Sequence, residues 1–189
     1  MPISYHVPTQ SSRRFVVTGA NSGTGEETAR RLALAGASVV LGVRSADKGE
    51  SARSRILRDA PDAEIEVRRI DLADLSSVRT FANGILADGR PLHVLVNNAG
   101  VMAPRRRLET TDGFELQFGT NFLGPFALTN LLLPLLLASE GSRVATMSSG
   151  TANWGRIRFD DLQSSRRYSP QGAYARSKLA ERKTYGPPA

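Results

Sequence analysis

Short apolar runs alternate with longer amphipathic stretches along most of the chain. "RFVVTG" (Arg14 to Gly19) predicts a strand closed by a glycine turn. "EETARRLALAG" (Glu26 to Gly36) sets Ala29, Leu32 and Ala33 on one helical face, with Gly36 as a stop. "SVVLGV" (Ser38 to Val43) is the next strand, and "ADKGESARSRILRD" (Ala46 to Asp59) a polar helix. A third strand runs from Glu64 to Leu72, a helix from Leu75 to Leu86, and a buried strand from Leu92 to Gly100. A long helix over about Asp112 to Leu137 leads to the strand "SRVATMSS" (Ser142 to Ser149). The last helix starts near Pro170, after a long irregular loop from Gly150 to Ser169.

Strand and helix alternate five times, which implies right-handed βαβ units and a parallel sheet covered by helices. The fold class expected is α/β, a Rossmann-type doubly wound parallel sheet. With 189 residues and no linker or repeat, one domain over 14–189 follows a polar lead-in over 1–13. The greasiest run, Leu128 to Ala138, is too short for a membrane span and contains Asn130 and Pro134. No signal-peptide pattern opens the chain, so a cytoplasmic location is expected.

Composition changes this picture only by exclusion. The chain holds no cysteine, which removes disulfides and thiolate metal sites. Its two histidines, His6 and His93, have no metal-ligand spacing, so no metal is expected. The formal charge of +7 comes from arginines scattered along the chain rather than gathered on one element, and aromatics make up only 6%. That pattern argues for a solvated surface and against nucleic acid as a partner.

Chemistry enters at "TGANSGTG" (Thr18 to Gly25), which follows the first strand and opens the first helix, the setting a dinucleotide fingerprint requires. Gly19 allows a tight turn, Gly23 a close approach of backbone to pyrophosphate, and Gly25 close helix packing. Asn21, Ser22 and Thr24 complete the turn, whose free N–H groups favour a phosphate. An enzyme preferring NAD usually carries an acid at the end of the second strand. This chain has Arg44 there, which suits a 2′-phosphate and favours NADP(H) over NAD(H), unless Arg44 merely opens a surface helix.

With "TGANSGTG", "NNAGVMAP", "TDGFELQFGTNFLGPF", "RIRFDDLQ" and "AYARSKLA" in order, the chain resembles the short-chain dehydrogenase/reductase superfamily, and more closely its retinol-dehydrogenase-like branch with its bacterial relatives. The resemblance covers about Arg14 to Ala180 and implies strand order 3-2-1-4-5. It implies hydride transfer between a nicotinamide cofactor and a small carbonyl or alcohol substrate. Asp71 and Leu72 would lie against the adenine, and Asn98, Ala99 and Gly100 would border the ribose. Asn121 would serve a proton relay, Ser149 would orient the substrate carbonyl, and Tyr174 with Lys178 would complete the tetrad, both also reaching the cofactor. Thr24, Phe122 and Pro125 depart from the family pattern without removing a catalytic group.

The residue chemistry agrees. Reducing a carbonyl creates an alkoxide that needs a proton and a hydrogen bond at that moment. A free tyrosine, with a pKa of about 10, is too weak an acid for this at neutral pH, and a neighbouring cation stabilises its phenolate. Tyr174 and Lys178, spaced i and i+4, share one helix face and can pair in this way. Pro125, four residues after Asn121, takes an N–H from the long helix, so a kink is expected that either frees the Asn121 carbonyl for a relay water or serves packing alone.

The family's sixth and seventh strands and substrate-covering segment have no counterpart in this chain. "ERKTYGPPA" (Glu181 to Ala189) stands where an apolar helix face is expected, with Glu181, Arg182 and Lys183 interrupting it and "GPP" ending it. A C-terminally shortened member is therefore expected. Its alternative function is a non-catalytic dinucleotide-binding module or an inactive shortened product. Relatives often pair through the two long active-site helices, which leaves a homo-oligomer open.

Overall fold

The computed structural model describes residues 7–185. His6 and the "GPP" stop lie outside the described residues. Five strands form one sheet in the order β3-β2-β1-β4-β5: β1 Arg14–Thr18, β2 Ser38–Val43, β3 Ile65–Arg69, β4 Val94–Asn97 and β5 Arg143–Thr146. β1 pairs in parallel with β2 from Arg14 against Ser38 to Thr18 against Gly42, and with β4 from Phe15 against Val94. The helices are α1 Gly23–Leu34, α2 Ala46–Asp59, α3 Leu75–Ala87, α4 Gly124–Leu137 and α5 Pro170–Tyr185. The expected Rossmann-type α/β fold and strand order are present.

The described residues sort into two compact units. The first comprises residues up to 70, 89–98 and 134–145. Its core joins Phe15, Val17, Val39, Leu41 and Val43 of the central strands to Ala29 and Ala33 of α1 and Ala52 and Ile56 of α2. All five residues of β1 are buried, as expected of a strand covered on both faces. Each fully buried Val, Leu or Ile contributes about 1.5–3 kcal/mol relative to exposure. α2 opens on Ser45, whose Oγ accepts from Lys48 N, and carries Asp47 in its first turn, both favourable at a helix start.

The second unit comprises 71–88, 99–133 and the chain from 146 on. α3 is started by Asp74, which accepts from the N–H groups of Ser76 and Ser77, and buries Val78, Phe81, Ala82 and Ile85 at helical spacing. The long helix expected from Asp112 begins later, because Glu115 caps it. The Glu115 carboxylate accepts from Gln117 N at 3.0 Å and Phe118 N at 2.8 Å. The kink expected near Pro125 takes the form of a π-helical turn, Phe118–Leu123, running straight into α4. Gly124 N bonds back to Gly119 O, an i to i−5 bond, just before the proline that cannot donate.

Phe118–Leu137 together make a continuous helical stretch of 20 residues, long and apolar enough by length and composition to cross a membrane. The apolar run judged short from sequence is thus part of a longer one. Within it Asn121, Leu128, Leu132 and Leu136 are buried in the protein.

Candidate functional site

The glycine turn is built by the first unit. Gly19 has φ +67° and donates its N–H to Gly42 O at 2.8 Å, fixing the chain reversal after β1. Ser22 is extended and caps α1 with no side-chain bond, so its hydroxyl does not occupy the first N–H groups of the helix. Gly23 has φ +55° and would meet nothing within 4 Å if given a Cβ. Backbone conformation, not crowding, is what demands glycine there, and the space above it is open. Gly25 is the reverse case: a Cβ would stand 2.5 Å from both Gly19 O and Asn98 Nδ2.

Asn98 is itself fixed, its N–H donating to Thr18 Oγ1 at 3.0 Å and its Nδ2 to Thr18 O at 2.9 Å. Arg55 from α2 grips Glu26 at 2.6 and 2.8 Å and reaches Asn21 O at 3.4 Å. That guanidinium lowers the pKa of the Glu26 carboxyl. Thr24 is exposed, as is Arg44, which follows β2 and has no carboxylate partner among the described residues.

The other predicted residues belong to the second unit. Asp71 Oδ1 accepts from Ala73 N at 2.9 Å, and its own N–H donates to Ser77 Oγ at 2.9 Å, which locks the turn after β3. Leu72 is buried, whereas Ala99 is half-buried and Gly100 exposed. A methyl on Gly100 would stand 3.2 Å from Asn121 Oδ1 and 3.9 Å from Lys178 Nζ, so this backbone passes close over both side chains.

Asn121 is 0% exposed and both polar atoms of its side chain are hydrogen-bonded. Its Oδ1 accepts from Val101 N at 2.8 Å, while Nδ2 donates to Val101 O at 2.9 Å and Ser177 Oγ at 3.0 Å. Ser177 in turn donates to Tyr174 O at 2.8 Å, tying the π-helical turn to α5. Tyr174 is half-buried, and its hydroxyl has no hydrogen-bond partner among the described residues.

Lys178 Nζ lies 6.0 Å from the Tyr174 ring centroid and donates to Met147 O at 2.8 Å. Met147 stands two residues before Ser149, so this bond also anchors the segment that carries Ser149. Ser149 starts the 3₁₀ turn Gly150–Asn153; its Oγ accepts from Thr151 N at 3.3 Å and Thr151 Oγ1 at 3.0 Å. Those bonds use lone pairs and leave the Ser149 O–H to donate.

The structure therefore gathers Gly100, Asn121, Tyr174 and Lys178 into one cluster, with Ser149 joined to it through Met147. Gly19 to Gly25, Arg44 and Asn98 belong to the first unit.

Three positions escaped sequence reasoning. Ser177 bridges Asn121 to α5; its signal was its place at i+3 from Tyr174. Gln117 braces the loop, with Oε1 accepting from Ala103 N at 2.7 Å and Nε2 donating to Pro170 O at 3.0 Å, and it carried no signal. Glu181, read as a charge interrupting an apolar face, is instead 2% exposed and faces Lys178, at 2.9 Å from Nζ to Oε2. α5 continues through "ERKTY" to Tyr185, past the end of the family resemblance at Ala180.

Comparison with known proteins identifies the family. The family model of the short chain dehydrogenases matches residues 13–165. The chain is 51% identical to retinol dehydrogenase 12 of Homo sapiens over 166 residues, covering 87% of this chain and 52% of that protein. It is 47% identical to polyprenol dehydrogenase of Mus musculus over 178 residues, covering 92% and 53%. A crystal structure of an uncharacterised protein from Mycobacterium paratuberculosis matches with TM-score 0.80 and 49% identity, covering 92% of this chain and 60% of that one. A short chain dehydrogenase from Escherichia coli CFT073 complexed with NADPH matches with TM-score 0.75 and 27% identity, covering 92% and 69%.

The chain belongs to the short chain dehydrogenase family. It spans about half the length of these dehydrogenase relatives.

Proposed function

We propose that the chain carries the nucleotide-binding and proton-transfer machinery of an NADP(H)-dependent oxidoreductase acting on a carbonyl or alcohol carbon. The observation that carries this reading is the cluster in which buried Asn121 and Lys178, the latter one turn beyond Tyr174, both lie against the Gly100 backbone. When bound, the nicotinamide cofactor supplies or accepts the hydride. The N–H groups that follow Ser22, beside the open space at Gly23, would hold the pyrophosphate. Asp71 receives the adenine amino group through the carboxylate oxygen that Ala73 does not use. Arg44 takes a 2′-phosphate, a reading supported by its lack of a carboxylate partner among the described residues. Family members from Escherichia coli and Shigella flexneri crystallised with NADPH and NADP support the same preference.

In the reducing direction Ser149 donates a hydrogen bond to the substrate oxygen, and Tyr174 gives that oxygen its proton as negative charge develops. The phenolate left behind is stabilised by the Lys178 ammonium. Asn121 holds Val101 and Ser177 in register, which fixes α5 relative to the Gly100 backbone. Relatives named for retinol and polyprenol point to an apolar, isoprenoid-type alcohol or its aldehyde as substrate.

The test is reduction of a panel of apolar aldehydes with NADPH by the chain and by Tyr174→Phe. The reading expects turnover at least about 100-fold slower in the variant, the scale of a lost general acid. NADPH affinity should stay within about threefold, since one lost hydroxyl contact is worth about 1 kcal/mol or less. Cofactor binding with no turnover by the unsubstituted chain would contradict it.

A further inference from the structure

Glu181 follows Lys178 by three residues on α5 and is 2% exposed. Its two oxygens lie 2.9 and 3.2 Å from Lys178 Nζ, and Lys178 is its one ion-pair partner among the described residues. A carboxylate buried to this degree costs several kcal/mol in desolvation unless something offsets it. The lysine it clamps is the one that Tyr174 needs.

Neither member of the pair makes another ion pair among the described residues. The π-helical turn Phe118–Leu123 and the 3₁₀ turn Gly150–Asn153, the two elements packed on α5 here, carry no charged residue. On α5 itself, Arg182 turns away to Asn153 Oδ1 at 2.5 Å. Tyr185 is the other titratable group that feels Glu181; burial raises its pKa, and the Glu181 charge adds to that. Lys178 Nζ thus divides its donors between Met147 O and the Glu181 carboxylate.

We propose that Glu181 is a positioning residue of the proton-transfer step: it clamps the Lys178 ammonium and offsets its charge, and so sets the pH at which Tyr174 exchanges its proton. The inference rests on the roles given to Tyr174 and Lys178 above. With Glu181 ionised, its charge offsets part of the support that the Lys178 ammonium gives the Tyr174 phenolate. With the carboxylate removed, the ammonium acts on Tyr174 unopposed. Burial pushes the Glu181 carboxyl up to about 7, against the pull of Lys178, so the offset is complete only above neutral pH.

The experiment compares the unsubstituted chain with Glu181→Gln and Glu181→Asp. Tyrosinate absorbance in the cofactor-free chain is titrated against pH, with the Tyr174 contribution taken by difference from Tyr174→Phe in each background. Glu181→Gln should move that titration down by about one pH unit, the scale of one removed neighbouring charge. Glu181→Asp should stay with the unsubstituted chain. The acid limb of NADP-dependent alcohol oxidation should move in the same direction.

A Tyr174 titration unmoved by Glu181→Gln would overturn the proposal, as would Glu181→Asp behaving like Glu181→Gln, since packing and not charge would then be responsible. Because the titration needs no turnover, its outcome stands apart from the failure of the oxidoreductase reading itself.

Discussion

Replacing Gly25 with alanine tests the packing of the nucleotide turn. The added methyl would stand 2.5 Å from Gly19 O, 2.5 Å from Asn98 Nδ2 and 3.0 Å from Gly19 C. Ordinary van der Waals contact begins near 3.4 Å, so about 1 Å of movement is needed on two sides at once. The Gly19 carbonyl is backbone in a turn fixed by the Gly19–Gly42 bond and cannot swing away. Asn98 can move only by losing its bond to Thr18 O.

Forced overpacking costs about 1–3 kcal/mol, and the lost hydrogen bond adds about 1 kcal/mol, giving about 2–4 kcal/mol in all. Urea unfolding followed by far-ultraviolet circular dichroism reads this directly. With a slope of about 2 kcal/mol per molar, the midpoint falls by roughly 1–2 M. Gly23→Ala is the control: it meets nothing and carries only its φ of +55°, so about 1 kcal/mol is expected. A Gly25→Ala midpoint within about 0.3 M of the unsubstituted chain, or one above that of Gly23→Ala, would refute the close approach.

Arg44→Glu places a carboxylate where the 2′-phosphate is proposed to sit; the NADPH-to-NADH affinity ratio should fall by about 10–100-fold in a fluorescence titration, with the midpoint of unfolding unchanged. Asn121→Ala removes three hydrogen bonds at a site with no exposure, and should cost about 2–4 kcal/mol in urea unfolding while slowing any turnover. Burial raises the Glu181 carboxyl from an ordinary 4.5 to about 7, so the folded chain takes up its proton more readily than the unfolded one. Stability contributed by that proton is present below pH 4.5 and lost as pH rises to about 7, a change on the order of 3 kcal/mol. Unfolding free energies of Glu181→Gln between pH 4.5 and 8 should lack this slope.

The central sheet was legible because its strands are nearly continuous apolar runs bounded by glycine and polar turns. β2 and α2 fall on their expected residues, since both carry clear stops. α1 begins at Gly23, three residues before its expected start, because the helix opens inside the glycine-rich turn. β4 is shorter than its apolar run, since Asn98 turns its N–H to the Thr18 side chain instead of continuing the ladder.

The π-helical turn left one trace in the text, Pro125, and the proline announces a missing donor without saying how the helix absorbs it. Tyr174, Lys178 and Asn121 were readable through spacing and resemblance. Glu181 was misread because three consecutive charged residues suggest a solvated face; only the structure turns the first of them inward, and i+3 spacing from Lys178 was the cue. Ser177 and Gln117 act through contacts distant in sequence, which periodicity does not report.

Hydride transfer itself is tested most directly with NADPH deuterated at both positions of the nicotinamide C4 and an apolar aldehyde, followed by mass spectrometry of the alcohol. The account predicts one deuterium on the carbinol carbon with the unsubstituted chain, and none above background with Tyr174→Phe at equal cofactor occupancy. Unlabelled alcohol, or equal labelling by the two chains, would contradict it.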